Sequence, residues 1–438
     1  MNFSAKQSLT PWAWIPTVYI SEGLPYFAVN TLTVLMYVNM GVSISEMAFF
    51  TGWLYLPWVI KPFWSPVVDI FKSNRWWMIL MQLIIGACFA AVAFFLPTGS
   101  FFASTLCIFW MMAFCSATFD ISADGYYIKA LSSHQQAAYV GVRSTFYRIA
   151  SIAGQGGLVM LAGYLEQTLD DIPRAWSLVF YALSALFFIL SIYHFLILPQ
   201  TGNNDIYDRK AGHNLLANFL NSFVTFFRRP HIVSGLAFML LYRLPEALCL
   251  KIIQPFLISP RESGGLGLTT TQTGFINGTI GVIALLAGGI AGGLVISKGG
   301  LKKWLLPMAL CLTLPCILYC FLAMFQPENM MMISSAIFIE QFGYGFGFSA
   351  YMLYLLYFAR GENSTSHYAF CTAFMALGMM LPGMGAGWLF DNAANLSFFR
   401  HTTNEFIGFF WIVMAACIPT LVVTSRLKVD PRFGIKSQ

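Results

Sequence analysis

Nine ionisable residues stand inside sequence stretches that are otherwise apolar, and their side chains are the ones that could do chemistry. They are Glu22, Lys61, Asp120, Asp124, Arg148, Arg243, Glu246, Lys251 and Glu340. Asp120 and Asp124 are four residues apart, so a helix would project both carboxylates from one face. Like charges at that spacing favour uptake of a proton by one of the pair, or pairing with a base such as Lys61 or Arg148. The pattern therefore indicates proton exchange, ion pairing or binding of a charged ligand.

The composition says which solvent surrounds these residues. Of the 438 residues, 58% are hydrophobic and 10% are charged, whereas roughly 25% of the residues in a soluble domain are charged. Too few polar residues remain to cover a surface that faces water. The formal net charge of +6 comes from short basic clusters rather than one patch, which argues against a nucleic-acid partner. The sequence therefore predicts an integral membrane protein.

Apolar runs long enough to cross a bilayer core about 30 Å thick recur along the chain. They predict an all-α fold with twelve transmembrane helices, at about 12–38, 46–68, 76–96, 101–128, 139–163, 174–198, 231–258, 269–296, 304–325, 330–358, 367–390 and 404–426. A polar interval separates the first six from the last six. The predicted domains are therefore a six-helix bundle at 1–198, a cytoplasmic linker at 199–230 and a second six-helix bundle with its tail at 231–438. Within the linker, residues 213–227 suit an amphipathic helix or a solvated segment.

Basic residues orient the predicted helices. Most of them fall on the side of the two termini, and only Arg174, Arg261 and Arg400 fall on the other. Since cytoplasmic loops retain Lys and Arg, both termini are expected in the cytoplasm.

Depth within the predicted helices separates the ionisable residues into two layers. Glu22, Arg243, Glu246 and Glu340 come near the middle of the bilayer, and Lys61, Asp120, Asp124 and Arg148 lie in the cytoplasmic half. Mutual pairing is expected for about half of such residues, because an ionisable side chain at membrane depth needs a partner, a wet cavity or a function. We expect ion pairs between helices in the cytoplasmic layer to hold an inner gate shut. Asp69 and Arg75, in the loop after the second predicted helix, are further candidates for this gate.

Proline interrupts the first and seventh predicted helices at comparable positions. The two interruptions are Glu22-Gly23-Leu24-Pro25 and Arg243-Leu244-Pro245-Glu246. Proline removes a backbone donor, so such segments expose polar backbone, and matching interruptions in two halves indicate a binding site at the midplane. Tyr26 beside the first interruption could stack on a sugar ring.

An enzyme and a metal site are not expected. The six histidines form no pair with a flanking Glu, and no Ser or Cys stands in a nucleophile motif. The nine cysteines lie in apolar runs without a C-x-x-C pair, which favours packing over disulfides or metal binding. No cofactor is expected either.

Several motifs resemble the AmpG muropeptide permease and acetyl-CoA transporter branch of the major facilitator superfamily. These are Gly23-Leu24-Pro25, Lys61 with Trp64-Ser65-Pro66 and Asp69, Ser116-Ala117-Thr118-Phe119-Asp120 continuing to Asp124 and Lys129, Tyr147-Arg148, and Ala386-Gly387-Trp388. The resemblance runs over nearly the whole chain and is clearer in the N-terminal half. The superfamily signature is a turn of Gly, Asp and basic residues in the loops after the second and eighth spans. The second half departs from this pattern, since its Ser297–Lys303 loop has no acidic residue.

This resemblance implies two six-helix bundles around a cavity lined by spans one, four, seven and ten. It also implies import of anhydro-muropeptides through a bacterial inner membrane, driven by protons. Glu22, Asp120, Asp124 and Glu340 are then the proton-coupling candidates. Arg243 and Lys251 are charge partners for the solute, with Glu246 and Tyr26 beside them.

The expected partners are a small-molecule solute, protons and lipids, and the carrier is expected to be a monomer. The alternatives are a carrier of a sugar, acyl-CoA, siderophore or drug on the same scaffold, including an exporter, and a receptor or assembly partner that has a transport fold.

Overall fold

A computed structural model of the chain describes residues 11–131, 133–199, 220–360, 364–393, 404–431 and 433. Helices occupy all twelve segments that the sequence predicts to be helical. The bounds differ from the predicted ones by a few residues, because the helices extend into the polar residues at each end of the apolar runs.

Nine α-helices make up the described part before the linker. They are α1 (Ile15–Phe27), α2 (Thr33–Asn39), α3 (Ile44–Trp53), α4 (Leu56–Ile70), α5 (Asn74–Phe95), α6 (Phe101–Ala130), α7 (Ser133–Ile152), α8 (Val159–Leu169) and α9 (Ile172–Ile197). Single stretches of π-helix, Ala28–Leu32 and Ala153–Leu158, join α1 to α2 and α7 to α8. Such bulges are frequent at functional sites.

Ten α-helices follow. They are α10 (220–227), α11 (Ile232–Leu241), α12 (Leu244–Ile258), α13 (Thr270–Thr273), α14 (Val282–Gly299), α15 (Leu301–Thr313), α16 (Ile317–Phe325), α17 (Met330–Ala359), α18 (Ser364–Asn392) and α19 (Glu405–Ser425). A π-helix, Gly274–Gly281, joins α13 to α14. Residues 200–219, the first part of the predicted linker, lie outside the described residues, so the linker is described only from α10 onward.

The two predicted proline interruptions differ in the structure. Arg243 ends the break between α11 and α12 and caps α12, and Pro245 lies in the first turn of α12, where its missing N–H costs no hydrogen bond. That interruption is confirmed. In the first segment α1 continues through Pro25, and the change to π-helix begins only at Ala28.

Seven of the described helical segments are long and apolar enough to cross a membrane. They are Asn74–Phe95, Phe101–Ala130, Ile172–Ile197, Thr270–Gly299, Leu301–Phe325, Ser366–Asn392 and Glu405–Ser425. The helices at the first, second and seventh predicted segments are divided into shorter pieces. The fold is therefore all-helical with several spanning helices, and the count of twelve spans stays a prediction.

The chain divides into two compact units. Unit 1 comprises Met1–Val29, Phe63–Gly154 and Leu165–Asn218, and unit 2 comprises Asn30–Pro62, Gln155–Tyr164 and Phe219–Gln438. In unit 1, α5 packs against α6 and α9, while α1 packs against α7 and α6. In unit 2, α17 packs against α14 and α15, and α18 packs against α12 and α3.

Two apolar cores hold unit 2 together. One is built on Ile252, Phe256, Tyr319 and Phe410, and the other on Phe226, Phe238, Tyr351 and Phe370. Phe226 belongs to α10, and its ring is fully buried against Phe370 and Phe374. The described part of the linker is therefore packed onto unit 2.

Candidate functional site

Three carboxylates converge in unit 1, and we call Glu22, Asp120 and Asp124 the acid cluster. Glu22 lies on α1, and the two aspartates lie one turn apart on α6. One carboxylate oxygen of each residue lies within 4.8 Å of the other two. Glu22 is buried, whereas both aspartates are half-buried. The same oxygens are close enough to converge on one small cation, so the cluster could hold either a proton or a metal ion.

Arg143 of α7 pairs with the acid cluster. Its Nη2 lies 2.6 Å from Asp124 Oδ1 in an ion pair, and the side chains of the two residues are 31% and 38% exposed. The guanidinium carbon also lies 4.6 Å from the ring centroid of Tyr19 and 5.7 Å from that of Tyr127. The two rings flank the cation with their negative faces, which holds it beside the acids.

Sequence reasoning missed Arg143, because it considered Arg148 as the base of this helix. Residues five apart on an α-helix point to different faces. Tyr147, one turn after Arg143, packs against Phe27 of α1 with ring centroids 5.7 Å apart. That spacing is the signal that places Arg143 on the face of α7 directed at α1.

Close packing of α1 on α7 sets the position of Glu22. A Cβ atom at Gly23 would lie 2.8 Å from the Cβ of Ala150 and 3.3 Å from the carbonyl oxygen of Tyr147. Only a residue without a side chain lets the two helices approach this closely. Gly23 therefore has a packing role that places Glu22 near α6 and α7.

A buried chain of hydrogen bonds holds the same turn of α1 from the other side. His194 Nδ1 lies 2.8 Å from Gln82 Oε1, and His194 Nε2 lies 2.9 Å from Thr17 Oγ1. Gln82 Nε2 donates to Ser21 Oγ at 2.9 Å. Since an amide oxygen only accepts, Nδ1 of His194 carries a proton. This network ties α1 to α5 and α9 directly beside Glu22, and sequence reasoning did not anticipate it.

In unit 2, Arg243 forms an ion pair with Glu246. Its Nε and Nη2 donate to Glu246 Oε2 and Oε1, each at 2.8 Å, and Nη2 also donates to the hydroxyl oxygen of Tyr344 at 2.7 Å. The guanidinium carbon lies 4.9 Å from the ring centroid of Phe348. Two parallel bonds to one carboxylate are the strongest arrangement that these groups form. The charge of Arg243 is therefore neutralised within unit 2.

Glu340, on α17 of unit 2, is also engaged within the protein. The hydroxyl of Tyr319 donates to its Oε2 at 2.8 Å, and Gln341 Nε2 donates to the same oxygen at 2.9 Å. The residue is 5% exposed. These contacts satisfy a carboxylate that the sequence offers as a proton-coupling candidate.

Lys251, on α12, contrasts with Arg243. It is 1% exposed, and its Nζ has no hydrogen-bond acceptor among the described residues. The ring centroid of Tyr55 lies 5.5 Å from Nζ, and the aliphatic stem passes Gly383 of α18. An ammonium this deeply buried is the least satisfied charge in the described part of unit 2.

The structure describes most of the other predicted site residues. Tyr26 is half-buried on α1, with its ring edge against Phe27. Arg75 donates to the carbonyl oxygen of Phe195 at the end of α9 and stacks on its ring, which is a helix-capping contact. Arg148 forms no ion pair with any acid that the structure describes. Lys61 is assigned to unit 2. The side chain of Asp69 lies outside the described part, so the predicted gate latch stays a prediction.

Comparison with known proteins gives the lineage of the chain. The sequence profile of the Major Facilitator Superfamily matches residues 17–383. The Anhydromuropeptide permease of Escherichia coli (strain K12) is 24% identical over 411 residues, which cover 92% of this chain and 77% of that protein. The Putative transporter AmpG 4 of Rickettsia conorii is 25% identical over 369 residues, which cover 82% of this chain and 84% of that one.

Solved structures resemble the fold over nearly its full length. A bacterial homologue of the human lysosomal transporter Spinster, in an inward-facing and unoccupied conformation, has a TM-score of 0.69 and 13% identity, covering 96% of each chain. A D-xylose-proton symporter has a TM-score of 0.69 and 11% identity, covering 97% of this chain and 98% of the other. At these identities the likeness concerns the fold alone.

The match to the superfamily profile covers most of the sequence, and it confirms the resemblance that the motifs indicated. It also confirms that the protein is an integral membrane transporter of a small-molecule solute rather than an enzyme. The chain belongs to the Major Facilitator Superfamily.

Proposed function

We propose that this transporter couples the uptake of muropeptide-like solutes to the entry of protons. The observation that carries the proposal is the acid cluster, because three carboxylates that close together must share protons or cations as the site changes. The name of the Escherichia coli relative supplies the solute class.

The acid cluster suits proton coupling because its members lie on different helices. A proton on Asp124 would weaken the ion pair with Arg143, and with it the attachment of α6 to α7. A proton on Glu22 would change the repulsion between α1 and α6. Occupancy by a proton therefore alters the packing of unit 1, which is what a coupled carrier requires.

The topology that accompanies this function is also a proposal. Twelve spans in two six-helix bundles, with both termini in the cytoplasm of a bacterium, would let the two halves alternate in exposing one site. The support is the repetition of six helical segments on each side of the linker and the concentration of basic residues on the side of the termini.

A carrier of another solute on the same scaffold is the alternative, and export is part of it. The relatives are only 24% and 25% identical, which leaves room for the residues that contact the cargo to differ. The two candidates share the acid cluster and differ in the solute that is recognised and, for an exporter, in the direction of transport.

Purified protein in proteoliposomes tests the proposal. Labelled anhydro-muropeptide should accumulate when the outside is made more acidic than the inside, and should only equilibrate without that gradient. A sodium gradient of the same size serves as a control for the competing cation. Absent uptake, or uptake that ignores the proton gradient, would overturn the proposal.

A further inference from the structure

We propose that Lys251 and Gln254 form a subsite for a carboxylate that has a hydrogen-bond donor beside it, as in an acylated amino acid. This subsite rests on the proposed function in one respect: it gives the anionic end of a peptide-bearing solute its place in unit 2. It also assigns that task to Lys251 rather than to Arg243.

Burial of the Lys251 ammonium costs free energy that its recorded contacts do not offset. A buried ammonium with no acceptor among the described residues has lost its water, and the recorded contact that replaces it is the weak attraction of a ring 5.5 Å away. A protein that needed only packing here would place Leu or Met at this position. Arg243 shows the ordinary solution in the same unit, since its charge is neutralised by Glu246.

Gln254 adds the second polar atom. It lies on α12 three residues after Lys251, so the two side chains share one helix face with Cβ atoms about 5–6 Å apart. Its Oε1 is buried and accepts no hydrogen bond from the described residues. A donor and an acceptor thus lie side by side, and neither has a hydrogen-bond partner in the part of the chain that the structure describes. A carboxylate would satisfy the first, and an N–H next to that carboxylate would satisfy the second.

The chemistry of the two groups restricts the ligand. A cation is repelled by Lys251, and a neutral sugar leaves the ammonium unpaired. A phosphate dianion would pair with Lys251 but would bring only acceptor oxygens to Gln254 Oε1, whereas a carboxylate with an adjacent N–H supplies both an acceptor and a donor. An acylated amino acid meets both requirements, and a peptide side arm of a muropeptide ends in this way.

Tyr55 is the cover of this subsite. It lies between the end of α3 and the start of α4, where the helix is interrupted, and its ring faces the ammonium. A Cβ atom at Gly52, one turn earlier, would clash with the backbone of Met384 at 3.0 Å, so α3 is seated tightly on α18. Separation of α3 from α18 would draw Tyr55 away and admit the ligand.

The test measures binding to the full-length purified protein by ligand-induced thermal shift. The probes are anhydro-muropeptide, N-acetylalanine, its methyl ester, and O-acetyllactate, which lacks the N–H. The wild type should bind N-acetylalanine roughly tenfold or more tightly than the ester, the ratio expected for one hydrogen bond to a charged group. Lys251→Met should reduce that ratio to about one, and Gln254→Leu should instead abolish the preference for N-acetylalanine over O-acetyllactate. Lys302→Met, an exposed lysine of the same unit, is the matched control and should behave as wild type.

The outcomes separate the subsite from the proposed cargo. If Lys251→Met keeps the preference for acid over ester, or if the wild type has no such preference with any probe, the subsite is wrong even if anhydro-muropeptide is imported. If N-acetylalanine is discriminated through Lys251 while anhydro-muropeptide is neither bound nor imported, the subsite stands and the muropeptide assignment fails. If Lys251→Met does not fold, the test rests on Gln254→Leu and the comparison of N-acetylalanine with O-acetyllactate. If Gln254→Leu keeps the wild-type preference for N-acetylalanine, the proposal is overturned.

Discussion

The two units of the molecule handle buried charge in opposite ways. In unit 1 three acids crowd around one another, and Arg143 pairs with one of them, Asp124, in an ion pair that is about one third exposed. In unit 2 Arg243 and Glu246 neutralise each other with little exposure, and Glu340 accepts two hydrogen bonds. The ammonium of Lys251 has no acceptor among the described residues. The difference teaches that a list of ionisable residues does not distinguish structure from function. An ion pair such as Arg243–Glu246 stabilises the fold. Crowded carboxylates such as the acid cluster, and an ammonium such as that of Lys251, are suited to bind a proton or a solute.

The largest effect on stability should come from breaking the closed pair of unit 2. Glu246→Gln leaves the guanidinium of Arg243 buried without its carboxylate, which should lower the free energy of unfolding by about 3–5 kcal/mol. The double variant Arg243→Gln with Glu246→Gln should lose less, because no buried charge is left alone. Unfolding in detergent measures both, with Glu328→Gln, an exposed glutamate, as the control. A single variant as stable as the control would show that this pair is not the structural element we describe.

The smaller effect on stability, with a larger effect on transport, should come from Arg143→Gln in unit 1. The Asp124–Arg143 pair is about one third exposed, so its loss should cost about 1 kcal/mol or less. Proton-driven accumulation should fall several-fold, since without Arg143 the acid cluster would hold its proton through the whole cycle. Arg174→Gln, an exposed arginine of unit 1, should leave both quantities unchanged. Severe unfolding of Arg143→Gln with normal transport by the folded fraction would reverse the contrast between the units.

Much of the fold follows from the sequence, because a run of apolar residues long enough to cross a bilayer has few alternatives to a helix. The break at Arg243 was predicted from Pro245, but the same reasoning failed at Pro25, through which α1 continues. The positions of the helix ends were less predictable from the sequence, because they depend on capping side chains such as Ser43 and Asn329.

The candidate site was predictable only in part. The spacing of Asp120 and Asp124 places them on one face, but their approach to Glu22 depends on the close packing of α1 and α7 at Gly23, which no local pattern shows. Arg143 was missed because helical depth alone does not identify the face of α7 that meets α1. Likewise, the sequence offers Arg243 and Lys251 as equal bases. The spacing of Arg243 and Glu246 permits a pair within one turn, but only the structure shows that this pair forms and that Lys251 has no acceptor among the described residues.

The central claim is that Glu22 and the two aspartates of unit 1 exchange the proton that drives transport. Its most direct test records the pH inside proteoliposomes when anhydro-muropeptide is added outside, with no gradient imposed, for the wild type and for Glu22→Gln. Solute entry should acidify the interior of wild-type vesicles, and Glu22→Gln should abolish this acidification but retain exchange of labelled for unlabelled solute. A proton signal in Glu22→Gln equal to that of the wild type, or solute entry into wild-type vesicles without any acidification, would contradict it.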